Sequence, residues 1–207
     1  MFRKINLLIQ GILTFKDWHL WVGDRFKILT PGKITLFRLR NGISFFLTQG
    51  EQGFGSFQEI FIEERYNKYY KIKSGDKIVD IGSGIGEYIV YSEKRGANAV
   101  GYEADEKRFL FSKLNILINK CKGETFHKRV VSLDDIGNSD IDFLKMDIEG
   151  GEFKIAENTK DFRRFKNIAM EFHDLPEPFE NKLKGQNFDV KTEYTSKDSG
   201  YLYATRK

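Results

Sequence analysis

The sequence predicts an α/β fold built on a mostly parallel sheet, and three observations carry that prediction. A short apolar run ends in a glycine-rich turn and continues as a helix: Lys77-Ile-Val-Asp80-Ile-Gly82-Ser-Gly84-Ile-Gly86. A second apolar run, Ala99-Val-Gly-Tyr-Glu103, also ends in acid. From residue 77 onward, strand-like and helix-like segments alternate, the pattern of strands joined by crossover helices.

Taken in order, residues 1–22 read as an N-terminal amphipathic segment, basic then apolar, closed by Trp18 and Trp21. It is too short and too interrupted, by Asn6 and Gln10, for a secretory leader, and it reads as a packing helix with a peripheral membrane contact through residues 1–15 as the alternative. Lys33 to Leu47 alternates apolar and polar residues around Asn41-Gly42, the signal of a β-hairpin. Gln49 to Ser56 reads as a flexible loop, Phe57 to Tyr70 as a helix, and Lys73-Ser-Gly-Asp76 as the turn into the first parallel strand. Strand one is Lys77 to Ile81, followed by a helix from about Ile85 to Arg95, and strand two is Ala99 to Glu103. The next helix, about Glu106 to Asn119, carries Phe109, Leu110, Leu114, Leu117 and Ile118 at helical spacing, with Asp105 as its cap. Thr125 to Val131 is strand three, Asp140 to Asp147 strand four, Glu152 to Phe162 a helix, and Ile168 to Phe172 strand five. Two further strand-like runs, Phe188 to Tyr194 and Tyr201 to Thr205, make an antiparallel hairpin on the sheet edge. Residues 1–75 are expected to pack on a core of residues 76–207 as one structural domain.

At 207 residues the chain suits one well-buried α/β domain. Its net charge of +4 tolerates an anionic partner without demanding nucleic acid. The single cysteine, Cys121, excludes an internal disulfide and any cysteine metal cluster and reads as a semi-buried thiol. No run of 18 apolar residues exists to span a bilayer, and a cytoplasmic location is the default expectation.

In an open α/β sheet ligands bind beyond the carboxyl ends of the strands. There this chain delivers Asp80, Glu103, then Ser132, Asp134 and Asp135, then Asp147 and Glu149, then Glu171, His173 and Asp174. Side chains at Gly82 or Gly84 would keep a ligand off the turn, and Glu103 is placed to accept from both hydroxyls of a ribose. In Asp142-Phe-Leu-Lys145-Met-Asp147-Ile-Glu149-Gly150-Gly151-Glu152, alternation puts Lys145, Asp147 and Glu149 on one side, and the Gly-Gly pair lets the backbone pass close to a neighbour. With Glu171 and His173 this offers a general base and oxygen and nitrogen donors; no fixed ligand spacing compels a metal, so no metal ligand is assigned and a divalent ion stays optional.

At these residues the sequence resembles the class I S-adenosylmethionine (SAM)-dependent methyltransferases, and more narrowly the FkbM family. Val79-Asp80-Ile-Gly82-Ser-Gly84-Ile-Gly86 matches the D-x-G-x-G-x-G loop, Gly101-Tyr-Glu103 the ribose acid, Val131-Ser-Leu-Asp134-Asp135 the S-L-D-D step, and Asp142 to Gly150 the D-F-L-K-x-D-x-E-G signature; Phe57 and Glu59 fit an aromatic and an acid before strand one. Gly151 and Ser83 stand where alanine is common, both small. The resemblance runs from roughly Leu36 to the C-terminus. It implies a Rossmann-like fold preceded by a small N-terminal helix and β-hairpin, and SAM as cofactor with S-adenosylhomocysteine (SAH) as product. It carries cofactor contacts onto Asp80, Gly82, Ser83, Gly84, Glu103, Ala104, Ser132, Asp134, Asp147 and Glu59, with the adenine amine near Asp134. Asp147, His173 and Glu149 would face the methyl group and acceptor, and the implied reaction is O-methylation of a sugar, glycan or glycolipid.

Three rivals use parts of the same pattern. An NAD-binding oxidoreductase would share a glycine turn and acid, but its spacing is G-x-G-x-x-G. A nucleic-acid methyltransferase fits the positive charge, yet the chain has no Asn/Asp-Pro-Pro-aromatic step, and its basic residues form no stripe interleaved with aromatics. A non-enzymatic binding module would not need both the glycine turn and the acid-lined edge.

Overall fold

The computed structural model describes residues 2–51, 54–137, 139–174 and 176–207. Gln52 and Gly53 of the expected flexible loop, and Leu175 beyond His173, lie outside the described residues. Among the described residues, nine strands form two sheets. The large one runs β5-β4-β3-β6-β7-β9-β8, where β3 is Lys77–Ile81, β4 Asn98–Glu103, β5 Glu124–His127, β6 Ile141–Met146, β7 Phe165–Phe172, β8 Phe188–Tyr194 and β9 Gly200–Arg206. The first five are mutually parallel; β9 lies antiparallel between β7 and β8, so the C-terminal hairpin closes that edge as the sequence predicts. The chain reverses direction between β3 and β4 on one side and β6 on the other, which creates a crevice above the carboxyl ends.

The small sheet is the expected hairpin, β1 Ile34–Arg38 with β2 Ser44–Thr48. The turn residue Asn41 accepts from the Ile43 amide, and Gly42 takes φ 90. Its inner face, Phe37, Phe45 and Leu47, packs with Phe54 and Phe57 of the following segment in a chain of edge-to-face aromatic contacts. The N-terminal segment divides into α1 Phe2–Thr14 and α2 Trp18–Arg25, because Phe15 is pinned between them by a bridge to Leu39 and the Lys16 amide bonds the Arg38 carbonyl.

The expected helix over Phe57 to Tyr70 is corrected to α3 Gly55–Phe61 and a separate turn at Arg65–Asn67. The Gln58 carbonyl accepts from both Ile62 and Glu63, and Glu64 sits at φ 47, so the helix unwinds and swings Tyr66 into the interior. Helices α4 Glu87–Glu93, α5 Glu106–Ile118 and α6 Glu152–Asn158 flank the parallel strands. Asp105 caps α5 through the Arg108 amide, as expected. The leucine stripe of α5, however, faces outward: Leu110, Leu114 and Leu117 are exposed, and the helix buries Ser112, Asn115 and Ile116. Asn115 explains this. Its side chain bonds both the amide and the carbonyl of Phe46 and the carbonyl of Ile85, and Asn119 does the same for Ser44, tying β2 to the core through polar residues that alternation on the helix would not select.

A helix that the sequence pattern does not assign, α7 Glu177–Gly185, follows β7. Pro176 and Pro178 stand at its start, where a missing N–H costs no helical bond, and Phe179 and Leu183 are buried one turn apart. Strand three is shorter than expected: after His127 the chain keeps one bond to the sheet, from the Lys128 amide to the Glu103 carbonyl, then leaves it.

Candidate active site

Above the carboxyl ends of β3, β4, β6 and β7 lies a cavity of about 700 Å³, of a size that holds a nucleoside-bearing small molecule. One wall is the turn after β3. Gly82 has φ 77, and a Cβ there would stand 1.8 Å from the Asp147 carbonyl oxygen. Its glycine is therefore demanded by the chain's own packing, not only by a ligand. Gly82 and Ser83 both donate to the Tyr102 carbonyl, at 2.9 and 3.1 Å. Gly84 donates to Glu103 Oε2 at 2.8 Å, and the Asp105 amide donates to Oε1 at 2.8 Å. Each oxygen of this buried carboxylate thus holds one backbone amide and retains a lone pair toward the cavity.

Beneath the turn, Asp80 is completely buried and its Oδ1 lies 2.9 Å from Lys145 Nζ. Burial pushes the Asp80 carboxyl up to about 7 against the pull of Lys145. Burial pulls the lysine down, but Asp80 and Asp147 outweigh it and hold the ammonium charged. Lys145 Nζ also donates to the Gly82 carbonyl at 3.2 Å and approaches Asp147 Oδ2 at 3.9 Å, so one cation ties β3, its turn and the end of β6 together. Glu87, in the first turn of α4, is buried as well and accepts from Ser56 Oγ at 3.0 Å and the Ile85 amide at 3.1 Å.

Another stretch of the lining is acidic. Tyr66 Oη lies 2.9 Å from Asp147 Oδ2 and 3.1 Å from Glu171 Oε2. A phenol has one proton, so it donates to one carboxylate at a time. Burial and the neighbouring Asp147 charge raise the Glu171 carboxyl, and burial together with Glu171 raises Glu59 to about 7. Burial and the flanking carboxylates hold the Tyr66 phenol protonated. His173 Nδ1 lies 3.2 Å from Glu152 Oε1 and its Nε2 3.5 Å from Glu149 Oε2; burial lowers the imidazole, but these acids and Glu171 raise it further. Asp147, Glu149 and His173 each bring one donor atom to within 4.8 Å of the others, a set whose chemistry suits a divalent cation.

Of the residues the sequence points to, Asp80, Gly82, Ser83, Gly84, Glu103, Ala104, Asp147, Glu149, His173 and Glu59 all line this cavity. Ser132 and Asp134 do not. Ser132 Oγ donates to the Asn158 carbonyl and accepts from the Asp134 amide, and Asp134 Oδ2 accepts from the Lys160 amide, so both brace the loop before β6. The wall there is made by Lys128 to Val131, the residues expected to continue strand three. The Gly-Gly expectation of a close approach holds at Gly151, where a Cβ would stand 2.9 Å from Ile148 Cδ1; a Cβ on Gly150 would meet nothing within 4 Å, and its need is conformational, φ 97 following Glu149 at φ 55. Sequence reasoning missed Tyr66, Glu87, Arg108 and Lys128, all on the cavity wall. Arg108, in the first turn after the β4 acid, was within reach of sequence reasoning; Tyr66 offered no local signal.

Solved structures with this architecture include TYW2 of P. horikoshii, in complex with MeSAdo, at 16% identity and TM-score 0.61 over 87% of this chain and 74% of that one. A putative transferase from Pyrococcus horikoshii aligns at 17% identity and TM-score 0.60 over 86% and 72%. M. capricolum TrmK, in complex with SAH, aligns at 17% identity and TM-score 0.54 over 70% and 66%. At such identities the likeness speaks for the fold. No curated protein matches the chain. Residues 43–201, most of the chain and every cavity wall described above, match the family model described as the Methyltransferase FkbM domain, and the chain belongs to that family.

Proposed function

We propose that this methyltransferase uses SAM to methylate a hydroxyl of a sugar-bearing acceptor, a glycan or glycolipid. The observation that carries the reading is the division of one cavity into two chemically different walls. On one side Glu103, held by the Gly84 and Asp105 amides, keeps lone pairs free for ribose hydroxyls. Gly82, Ser83 and Gly84 all line the cavity, so a ligand can lie against this turn. The buried Asp80–Lys145 pair fixes that turn to the sheet. Bound SAM would supply a methyl group already activated on a sulfonium.

Elsewhere in the lining, Glu59, Asp147, Glu149 and Glu171 gather carboxyl oxygens suited to the hydroxyls of a polyhydroxylated ligand. Asp147 is the group we assign to take the acceptor proton: it lines the cavity, shares Tyr66 Oη with Glu171, and is steadied by Lys145. His173, already held by Glu152 and raised by its acid neighbours, serves to orient the acceptor and balance charge.

Calorimetric titration with SAH, beside NAD and beside Glu103→Ala, tests the cofactor; transfer of labelled methyl from SAM to a panel of sugars and to tRNA tests the acceptor. Saturable SAH binding that weakens in the variant, with label on a sugar hydroxyl, supports the reading. Preference for NAD, or label on RNA alone, overturns it.

A further inference from the structure

Helix α1 is amphipathic in the reverse of the usual sense. Leu7, Gly11 and Thr14 turn toward the body, and Gly11 packs so tightly on Trp21 that a Cβ would lie 2.3 Å from the indole. Ile5, Leu8, Ile9 and Leu13 face solvent, at 49, 42, 50 and 68% exposure. At 100° per residue these four occupy one continuous arc of the helix. A short distance on, the turn after α2 exposes Phe26 and Ile28, at 71 and 75%. Among the described residues, nine of the sixteen large exposed apolar side chains fall within residues 1–40.

Charge is segregated onto the same segment. Residues 1–40 hold eight Lys and Arg against two acids, whereas residues 41–207 hold 26 against 28. Both acids of the segment are engaged: Asp17 by Arg38, and Asp24 by the Phe54 amide. Lys4, Lys16, Lys27, Lys33 and Arg40 are exposed. No described helix is long and apolar enough to cross a membrane.

We propose that the outer face of α1 docks this protein onto the surface of an anionic phospholipid bilayer, helix in plane, with Ile5, Leu8, Ile9 and Leu13 among the acyl chains and the surrounding lysines at the headgroups. An apolar arc alone would suit a second copy of the chain equally well. The basic excess decides against that, since two such segments brought face to face repel, whereas an anionic surface attracts each of them. The docking does not depend on the acceptor chosen above.

The test is flotation of the whole chain with phosphatidylcholine vesicles, with and without phosphatidylglycerol, at low and high salt, beside a variant carrying Ile5→Ser, Leu8→Ser, Ile9→Ser and Leu13→Ser. A thermal melt shows that the variant is folded. The expected result is binding to the anionic vesicles only, weakened by salt and reduced on the order of ten-fold or more in the variant. Three results overturn the proposal: no vesicle binding, equal binding by the variant, or a concentration-dependent dimer abolished by the same substitutions without vesicle binding.

Discussion

Lys145 Nζ lies 2.9 Å from Asp80 Oδ1, and both side chains are buried beneath the glycine turn. Neither charge has water to fall back on, so each is stabilised chiefly by the other. Lys145→Met should destabilise the protein by roughly 3–5 kcal/mol, because it leaves Asp80 buried without its partner. The double variant Lys145→Met with Asp80→Asn should recover a large part of that loss. Chemical denaturation of the two single variants and the double closes the cycle; additive losses would contradict the pairing.

Glu103 receives the Gly84 and Asp105 amides and faces the cavity with what remains of its lone pairs. Glu103→Ala should weaken SAH about 10–100-fold, the worth of charge-assisted hydrogen bonds. Glu103→Gln, which keeps one acceptor oxygen, should fall between. Calorimetry reads both.

Tyr66 Oη stands between Asp147 and Glu171. In Tyr66→Phe the two carboxyl groups lose the donor they share. The expected result is a fall in kcat of about 10–100-fold with SAH affinity little changed, since the phenol touches the acceptor wall. A change confined to SAH binding would refute that placement.

Glu59 is held at about 7 in the folded chain against an ordinary 4.5. A carboxyl raised in this way keeps its proton longer in the native state, so folding is favoured below the unfolded value and that advantage drains away as pH rises through the folded one. Wild type should lose roughly 2–3 kcal/mol from this group between pH 4.5 and 7, and Glu59→Gln should fall less steeply than wild type over that window, by about that amount, and be more stable than wild type at pH 8. Thermal melts of both proteins across the range decide it.

Gly82→Ala should be close to intolerable. The new methyl would overlap the Asp147 carbonyl at 1.8 Å in a backbone conformation of φ 77 that alanine rarely adopts. A loss of at least 3 kcal/mol, on the order expected for strain plus overpacking, together with loss of SAH binding, is the outcome to look for by melting and calorimetry.

What the sequence determined by itself is whatever repeats locally. Apolar runs ending in glycine and acid placed β3 and β4, alternation around Asn41-Gly42 placed the hairpin, and the strand-ending acids marked the edge where the cavity lies. These features depend on neighbours one to four positions apart, which is the range over which backbone sterics and side-chain periodicity act. Tertiary structure alone decided the rest. Tyr66 reached the carboxylates 81 and 105 residues away only because its helix unwinds at Glu64. Ser132 and Asp134 were spent on bracing a loop, and α5 turned its leucines outward because Asn115 and Asn119 were needed against β2. In each case the deciding contact joins residues far apart in the chain, and its energy depends on burial and desolvation, which no local pattern encodes.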